Sequence, residues 1–200
     1  MNFHNIKLIL EFILFPEFLI FVKLRFTKIN KRYSLDKFKS LFVHLNLMRV
    51  CIGGTFNQLH AGHKSLILKA LNIAGKKGSV FIGVTTGEII KNKKNVQSYE
   101  IRKKSIEQYL WDKKLKNNVT IGSINDKYGP SIEEDFDAIV VSPATIQTAY
   151  EINKKRRKIG KKALKIVKIP FILAEDNQPI SSTRIRKKEI DEVGKILKQD

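Results

Sequence analysis

The sequence predicts an α/β protein with a doubly wound parallel sheet of about five strands, and three observations carry that prediction. Five short strand-like runs rich in apolar residues recur along the chain, stretches with apolar residues at helical spacing separate them, and glycine or proline marks several of the joins. A sheet of this Rossmann-like kind binds ligands beyond the carboxyl ends of its strands.

The first run, Val50–Ile52, ends in Gly53 and Gly54, where a backbone can pass close to a ligand, and Gly62 opens the next helix. Lys64–Lys77 carries Leu66, Ile67, Ala70, Leu71 and Ile73 on one helical face, and Gly75–Gly78 stops it. Ser79–Thr85 is the second strand. Glu88–Lys94 reads as a loop or short helix. Tyr99–Leu110 is a helix with Ile101, Ile106, Tyr109 and Leu110 inward, and Asn118–Ile124 is the third strand. Ser131–Asp135 is a helical turn after Pro130. Ala138–Val141 forms the fourth strand, closed by Pro143. A helix runs from Thr145 to about Ile159 and stops at Gly160. Leu164–Ile169 is the fifth strand, and Ser181 or Ser182 caps a final helical segment holding Arg184 and Arg186.

Composition sets the context. A chain of 200 residues with 42% hydrophobic content fits one globular domain with a real core. Lys and Arg number 38 against 19 acids, a net charge of +19, which favours an anionic partner without choosing among nucleotides, nucleic acid and a membrane surface. Cys51 is the single cysteine, so no disulfide closes within the chain and a reducing, cytoplasmic compartment is expected.

Residues 1–47 differ from the rest. Ile6–Val22 is rich in Leu, Ile and Phe, but Lys7, Glu11, Pro16 and Glu17 interrupt it, so no stable membrane span is expected. No small-residue cleavage site follows, which argues against a signal peptide. Two readings remain, an interfacial amphipathic anchor or, as preferred, an overextended reading frame upstream of Met48. The extension holds 8 basic and 3 acidic residues, so +14 remains on the domain expected over 48–200.

The chemistry concentrates in two stretches. Val50–His63, VCIGGTFNQLHAGH, ends a strand in glycines and places His60 and His63 three residues apart at a helix start, where unpaired N–H groups and the helix dipole suit an anion. Ile180–Arg186, ISSTRIR, offers the hydroxyls of Ser181, Ser182 and Thr183, helix-start N–H groups, and a planar cation at Arg184 or Arg186 for the outer phosphates of a triphosphate. No Walker lysine motif is present, and GGTFNQ is not the dinucleotide GxGxxG pattern. A nucleoside triphosphate held from both ends is the simplest ligand.

HAGH together with ISSTRIR resembles the signatures of the HxGH nucleotidyltransferase superfamily. The stretch from Met48 to about Gly194 is similar to the archaeal-type phosphopantetheine adenylyltransferases. Supporting segments are FIGVTTGEIIKNKK, DKYGPSIEEDFDAIVVSPAT, YEINKKRRKIG and AEDNQPISSTRIRKKEID. One departure is Asn57, where that family usually has aspartate; the amide keeps the hydrogen-bonding shape and loses the charge.

The resemblance implies a nucleotidyltransferase-type sheet and transfer of the adenylyl group of ATP to 4′-phosphopantetheine, with Mg2+ carried by ATP and no dedicated metal cage. It implies His60 and His63 as α-phosphate donors and the Gly53, Gly54, Thr55 and Phe56 backbone beside the nucleotide. Ser181, Ser182, Thr183 and Arg184 then take the β and γ phosphates, while Thr55 with Lys91 or Lys94 takes the acceptor phosphate. A cytidylyltransferase or a nicotinamide mononucleotide adenylyltransferase would use the same machinery. A basic nucleic-acid-binding module would explain the charge, but the basic residues are dispersed without interleaved aromatics, and no nucleic-acid partner is expected. Nothing in the chain sets its oligomeric state.

Overall fold

The computed structural model describes residues 47–91, 93, 95–115 and 118–198. The expectations for the 1–47 extension, Leu47 apart, lie outside the described residues, as does Lys94.

In chain order the elements are β1 (Arg49–Gly54), α1 (Ala61–Ala74), β2 (Ser79–Thr85), α2 (Glu88–Lys91), α3 (Tyr99–Asp112), β3 (Asn118–Ile124), a 3-10 turn (Gly129–Ser131), β4 (Ala138–Val141), α4 (Ile146–Lys158), β5 (Lys165–Lys168) and α5 (Ser182–Arg186). The five strands form one parallel sheet in the order β3-β2-β1-β4-β5. The chain winds outward from β1 through β2 to β3, then crosses to the other side of β1 for β4 and β5. Strand order therefore reverses between β1 and β4, which opens a crevice at their carboxyl ends.

The strands alternate their side chains between two apolar layers. Val50, Ile52, Val80, Ile82, Ala138 and Val140 pack with Leu66, Ile67, Ala70 and Leu71 of α1 and with Ile106 of α3. Cys51, Ile139 and Val141 pack on the opposite side with Ala149 and Ile152 of α4 and with Phe136, just before β4. Burial on both faces is what made these runs continuously apolar. Gly78 lets α1 turn back into β2, since a Cβ there would lie 2.2 Å from the Ala74 carbonyl oxygen.

Two buried arginines depart from the apolar pattern. On α3 the inward face is Arg102, Ile106 and Tyr109, spaced i, i+4, i+7, so Ile101 is turned outward at 51% exposure, contrary to the expectation from sequence. Arg102 occupies the inward place at 0% exposure because backbone carbonyls await it. Arg156 of α4 likewise donates to the carbonyls of Ser131, Glu134 and Lys162, and so ties α4 to the segments before β4 and β5. Beside it, the Asn153 amide exchanges two hydrogen bonds with the backbone of Leu164, at 2.7 and 2.9 Å, and fixes the entry to β5.

Beyond β5 the chain forms a small irregular lobe with its own cluster of Ala174, Ile180 and Ile190. It touches the start of α1, where the Ala61 N–H donates to the Glu192 carbonyl at 2.9 Å.

Candidate active site

The crevice at the β1/β4 switch has a volume of about 680 Å³. Gly53, Gly54, Thr55, His60 and His63 line it from the β1 side, Ser142 and Thr145 from the loop after β4, and Ser181, Ser182, Thr183 and Arg186 from the C-terminal lobe. The two sequence stretches that hold the chemistry thus meet in one cavity, although more than a hundred residues separate them along the chain.

His60 is the N-cap of α1. Its Nδ1 accepts the Gly62 N–H at 3.1 Å, and an accepting Nδ1 places the proton of the neutral ring on Nε2. Gly62 permits this fold-back, because a Cβ there would lie 3.0 Å from His60 Cε1. With Ala61 N–H held by Glu192 and Gly62 N–H held by His60, two of the first-turn donors of α1 are already taken. The expectation of an open helix-start anion site is corrected accordingly. What the helix start presents is imidazole edges rather than a row of free amides.

His63 stacks on His60 with ring centroids 3.8 Å apart, and Phe56 packs against its other side at 5.2 Å. Burial pushes the His63 pKa down to about 3, with the nearby His60 adding to the effect and the Gln58 backbone opposing it. Burial, then the charge of Lys64, pushes His60 down to about 4. Both rings are neutral at physiological pH. Each is therefore a single N–H donor in a low-dielectric site, not a cation.

Phe56 and Gln58 both have positive φ, 52° and 47°, so the loop between β1 and α1 is held in a conformation that side chains disfavour. Phe56 itself is fully buried in the core, which limits it to anchoring the loop. Asn57 is also buried. Its Oδ1 accepts from Gln97 N–H at 2.9 Å and its Nδ2 donates to the Asn95 carbonyl at 3.3 Å. The amide uses both of its ends, and a carboxylate in this geometry would set an oxygen against the Asn95 carbonyl.

Thr55 sits at the corner between the strand ends. Its Oγ1 accepts from Lys93 Nζ at 2.8 Å and from the Thr85 hydroxyl at 3.2 Å, while its carbonyl accepts from Arg102 at 2.7 Å. Of the lysines expected here, Lys91 is elsewhere. It is 69% exposed and pairs with Glu88 at 3.1 Å, one helical turn away on α2. The described lysine beside Thr55 is Lys93. Burial, and next the charge of Arg102, lower the Lys93 pKa.

The ISSTRIR segment divides its labour differently from the expectation. Ser181 Oγ caps α5 through the Arg184 N–H at 3.3 Å, and the Ser182 hydroxyl donates to the Asn57 carbonyl at 2.5 Å, which stitches the two motifs together. Arg184 is turned away from the crevice and engaged by two carboxylates, Asp176 and Glu189, the latter at 3.0 Å. Those acids satisfy its guanidinium, so the cation that this segment presents to the crevice is Arg186, held by the Thr183 hydroxyl at 3.0 Å. With only five residues, α5 contributes side chains here rather than a helix dipole.

A second, narrower cavity of about 230 Å³ shares Gly53, Gly54, Thr55 and Lys93 with the crevice and runs between the sheet and α4, past Phe81, Ile139 and Ala149. Its lining is mainly apolar. At its mouth, Tyr128 donates to Glu151 at 3.0 Å, and the ammonium groups of Lys127 and Lys155 lie 5.0 and 4.9 Å from its ring. Among the described residues no three His, Cys, Asp or Glu side chains are grouped to hold a metal ion, and no helix is long and apolar enough to cross a membrane.

The sequence alone does not single out Lys93 or Arg102 as site residues. It offers Arg186 as an alternative to Arg184. Only its spacing from Thr183 hinted at the choice, since i and i+3 share a helical face.

Residues 51–188 match the family model described as cytidylyltransferase-like. The phosphopantetheine adenylyltransferase of Methanosarcina mazei is 47% identical over 154 residues, which is 76% of this chain and 98% of that protein. The phosphopantetheine adenylyltransferase of Archaeoglobus fulgidus is 40% identical over 151 residues, covering 75% of this chain and 100% of that one. Among solved structures, a protein of unknown function from Archaeoglobus fulgidus superposes with a TM-score of 0.55 at 35% identity, over 61% of this chain and 89% of its own.

Proposed function

The chain belongs to the cytidylyltransferase-like family and, within it, to the phosphopantetheine adenylyltransferases of archaeal type. From this premise we propose that the crevice transfers the adenylyl group of ATP to 4′-phosphopantetheine, giving dephospho-coenzyme A and pyrophosphate. The observation that carries the site reading is the stacked, neutral His60–His63 pair opening onto a cavity that ends in Ser182, Thr183 and Arg186.

The acceptor brings its own nucleophile. A phosphomonoester with a second pKa near ~6 is largely dianionic at neutral pH, so an oxygen of it attacks the α-phosphorus of ATP without a general base. The bond from that phosphorus to the bridging oxygen breaks, and pyrophosphate leaves with the electron pair. The reaction therefore needs alignment and charge stabilisation. His60, through Nε2–H, and His63 donate to the α-phosphate oxygens as charge rearranges. Arg186 and the Thr183 hydroxyl hold the outer phosphates, and Thr55 and Lys93 hold the acceptor phosphate. The narrow apolar cavity that starts at Thr55 receives the pantetheine arm. ATP would bring magnesium with it, which would supply charge neutralisation to the leaving pyrophosphate. A cytoplasmic location accords with the free thiol of Cys51.

Pyrophosphate release tests this reading directly, with ATP or CTP offered against 4′-phosphopantetheine, phosphocholine and nicotinamide mononucleotide. Release with ATP and 4′-phosphopantetheine alone is expected. Turnover with CTP, or with another acceptor in preference, would overturn the assignment of base or acceptor.

A further inference from the structure

Arg102 is a fully buried cation without a carboxylate partner among the described residues. Its Nε–H donates to the carbonyls of Gln97 and Ser98 at 2.9 and 3.2 Å, and one terminal nitrogen donates to those of Thr55 and Thr85 at 2.7 and 2.9 Å. The other terminal nitrogen is buried and makes no hydrogen bond among the described residues. Glu100, the acid whose charge acts on it, is exposed and forms no bridge to it. Carbonyl dipoles solvate a guanidinium in part; they do not neutralise it.

A second cation stands on the other side of the same residue. Lys93 Nζ donates to the Thr55 hydroxyl at 2.8 Å while Arg102 holds the Thr55 carbonyl, so two positive charges flank Thr55, and among the described residues no carboxylate bonds to either. The ends of β1 and β2 thus carry an excess of positive charge at a corner of the site lined by two threonine hydroxyls.

Resting on the acceptor reading above, we infer that Arg102 is a positioning residue whose buried charge is balanced by the acceptor's phosphate. The guanidinium never touches the substrate. It fixes the Thr55 and Thr85 carbonyls, so that the two hydroxyls and Lys93 face one point, and it lends that point a positive potential that only a phosphorylated acceptor satisfies. The site then discriminates for the phosphate through a group behind its wall.

The test compares wild type with Arg102→Lys, Arg102→Met and Arg102→Gln, measuring the affinity for 4′-phosphopantetheine and for unphosphorylated pantetheine by calorimetry, and the melting temperature with and without inorganic phosphate. Both neutral variants are expected to fold, to lose about tenfold or more in affinity for the phosphorylated acceptor, and to keep pantetheine affinity within about twofold. Arg102→Lys restores most of the loss, and phosphate raises the melting temperature of wild type more than that of the neutral variants. Equal losses for both acceptors, a lysine variant as impaired as methionine, phosphate protection independent of residue 102, or failure of both neutral variants to fold would each make Arg102 a purely structural tie and overturn the inference. Wild type that shows no preference for the phosphorylated acceptor, yet is protected by phosphate through Arg102, would instead overturn the acceptor reading alone.

Discussion

His60 and His63 stack with their ring centroids 3.8 Å apart, a separation at which two imidazolium charges inside a buried site repel strongly. The pair is stable because both rings are neutral. His60 uses Nδ1 to cap α1, which leaves Nε2–H on the opposite side of the ring for the phosphate contact proposed above.

His63→Ala is expected to lower the single-turnover rate by about 10² to 10³ while ATP affinity changes little, because a donor aimed at developing charge acts mainly in the transition state. A folded variant with wild-type turnover would remove His63 from the catalytic pair. Loss of binding and melting temperature in parallel would make the ring a packing residue against Phe56.

Low pH should destabilise the protein through the same two rings. Their folded pKa values lie at about 4 and 3, below the ordinary 6.5, so between pH 6.5 and 4 the unfolded chain takes up protons that the folded chain refuses. Stability is complete above pH 6.5 and falls with acidification, by up to about 2 kcal/mol for each histidine at pH 5. Urea melts of wild type and His63→Asn at pH 7 and pH 5 check this. The variant should show the smaller pH dependence, and an equal loss in both would assign the effect to other groups.

Much of the architecture was legible because burial on both faces writes itself into a strand. β2, β3 and β4 lie at the expected residues, and the apolar run of β4 between Asp137 and Pro143 is the plainest of the three. The two motif stretches were legible for a different reason, since glycine, histidine and hydroxyl residues concentrate where backbone approaches a ligand. Arg102 was not, because a lysine- and arginine-rich helix reads as solvated, and its burial depends on the Thr55 carbonyl, 47 residues away in sequence. Nor does sequence separate Lys91 from Lys93 in a run of like residues. The ion pair with Glu88 draws one out, and Thr55 draws the other in.

Lys93 and Lys91 should differ accordingly. Lys93→Ala is expected to raise the KM for 4′-phosphopantetheine about tenfold with the KM for ATP nearly unchanged, whereas Lys91→Ala leaves both as they are. Steady-state kinetics with each substrate varied in turn decides between them. A larger effect at Lys91 would mean that α2 repositions on binding and that the Thr55 contact does not describe the working site.

The two arginines of ISSTRIR offer the sharpest contrast, because they sit two residues apart and point to different tasks. Arg184 is satisfied by Asp176 and Glu189 within the C-terminal lobe, so Arg184→Ala should lower the melting temperature while leaving ATP affinity intact in the protein that remains folded. Arg186 has no carboxylate partner among the described residues, is held by a single hydroxyl, and lines the crevice. Removing a charge-assisted phosphate contact costs about 1.5 to 3 kcal/mol, so Arg186→Ala should weaken ATP and pyrophosphate binding about ten- to a hundredfold with little change in melting temperature. Calorimetric titration of both variants with ATP, beside their melting curves, separates the two roles. Reduced ATP affinity in a fully folded Arg184→Ala, with Arg186→Ala unaffected, would require the lobe to release Arg184 from its carboxylates when nucleotide binds.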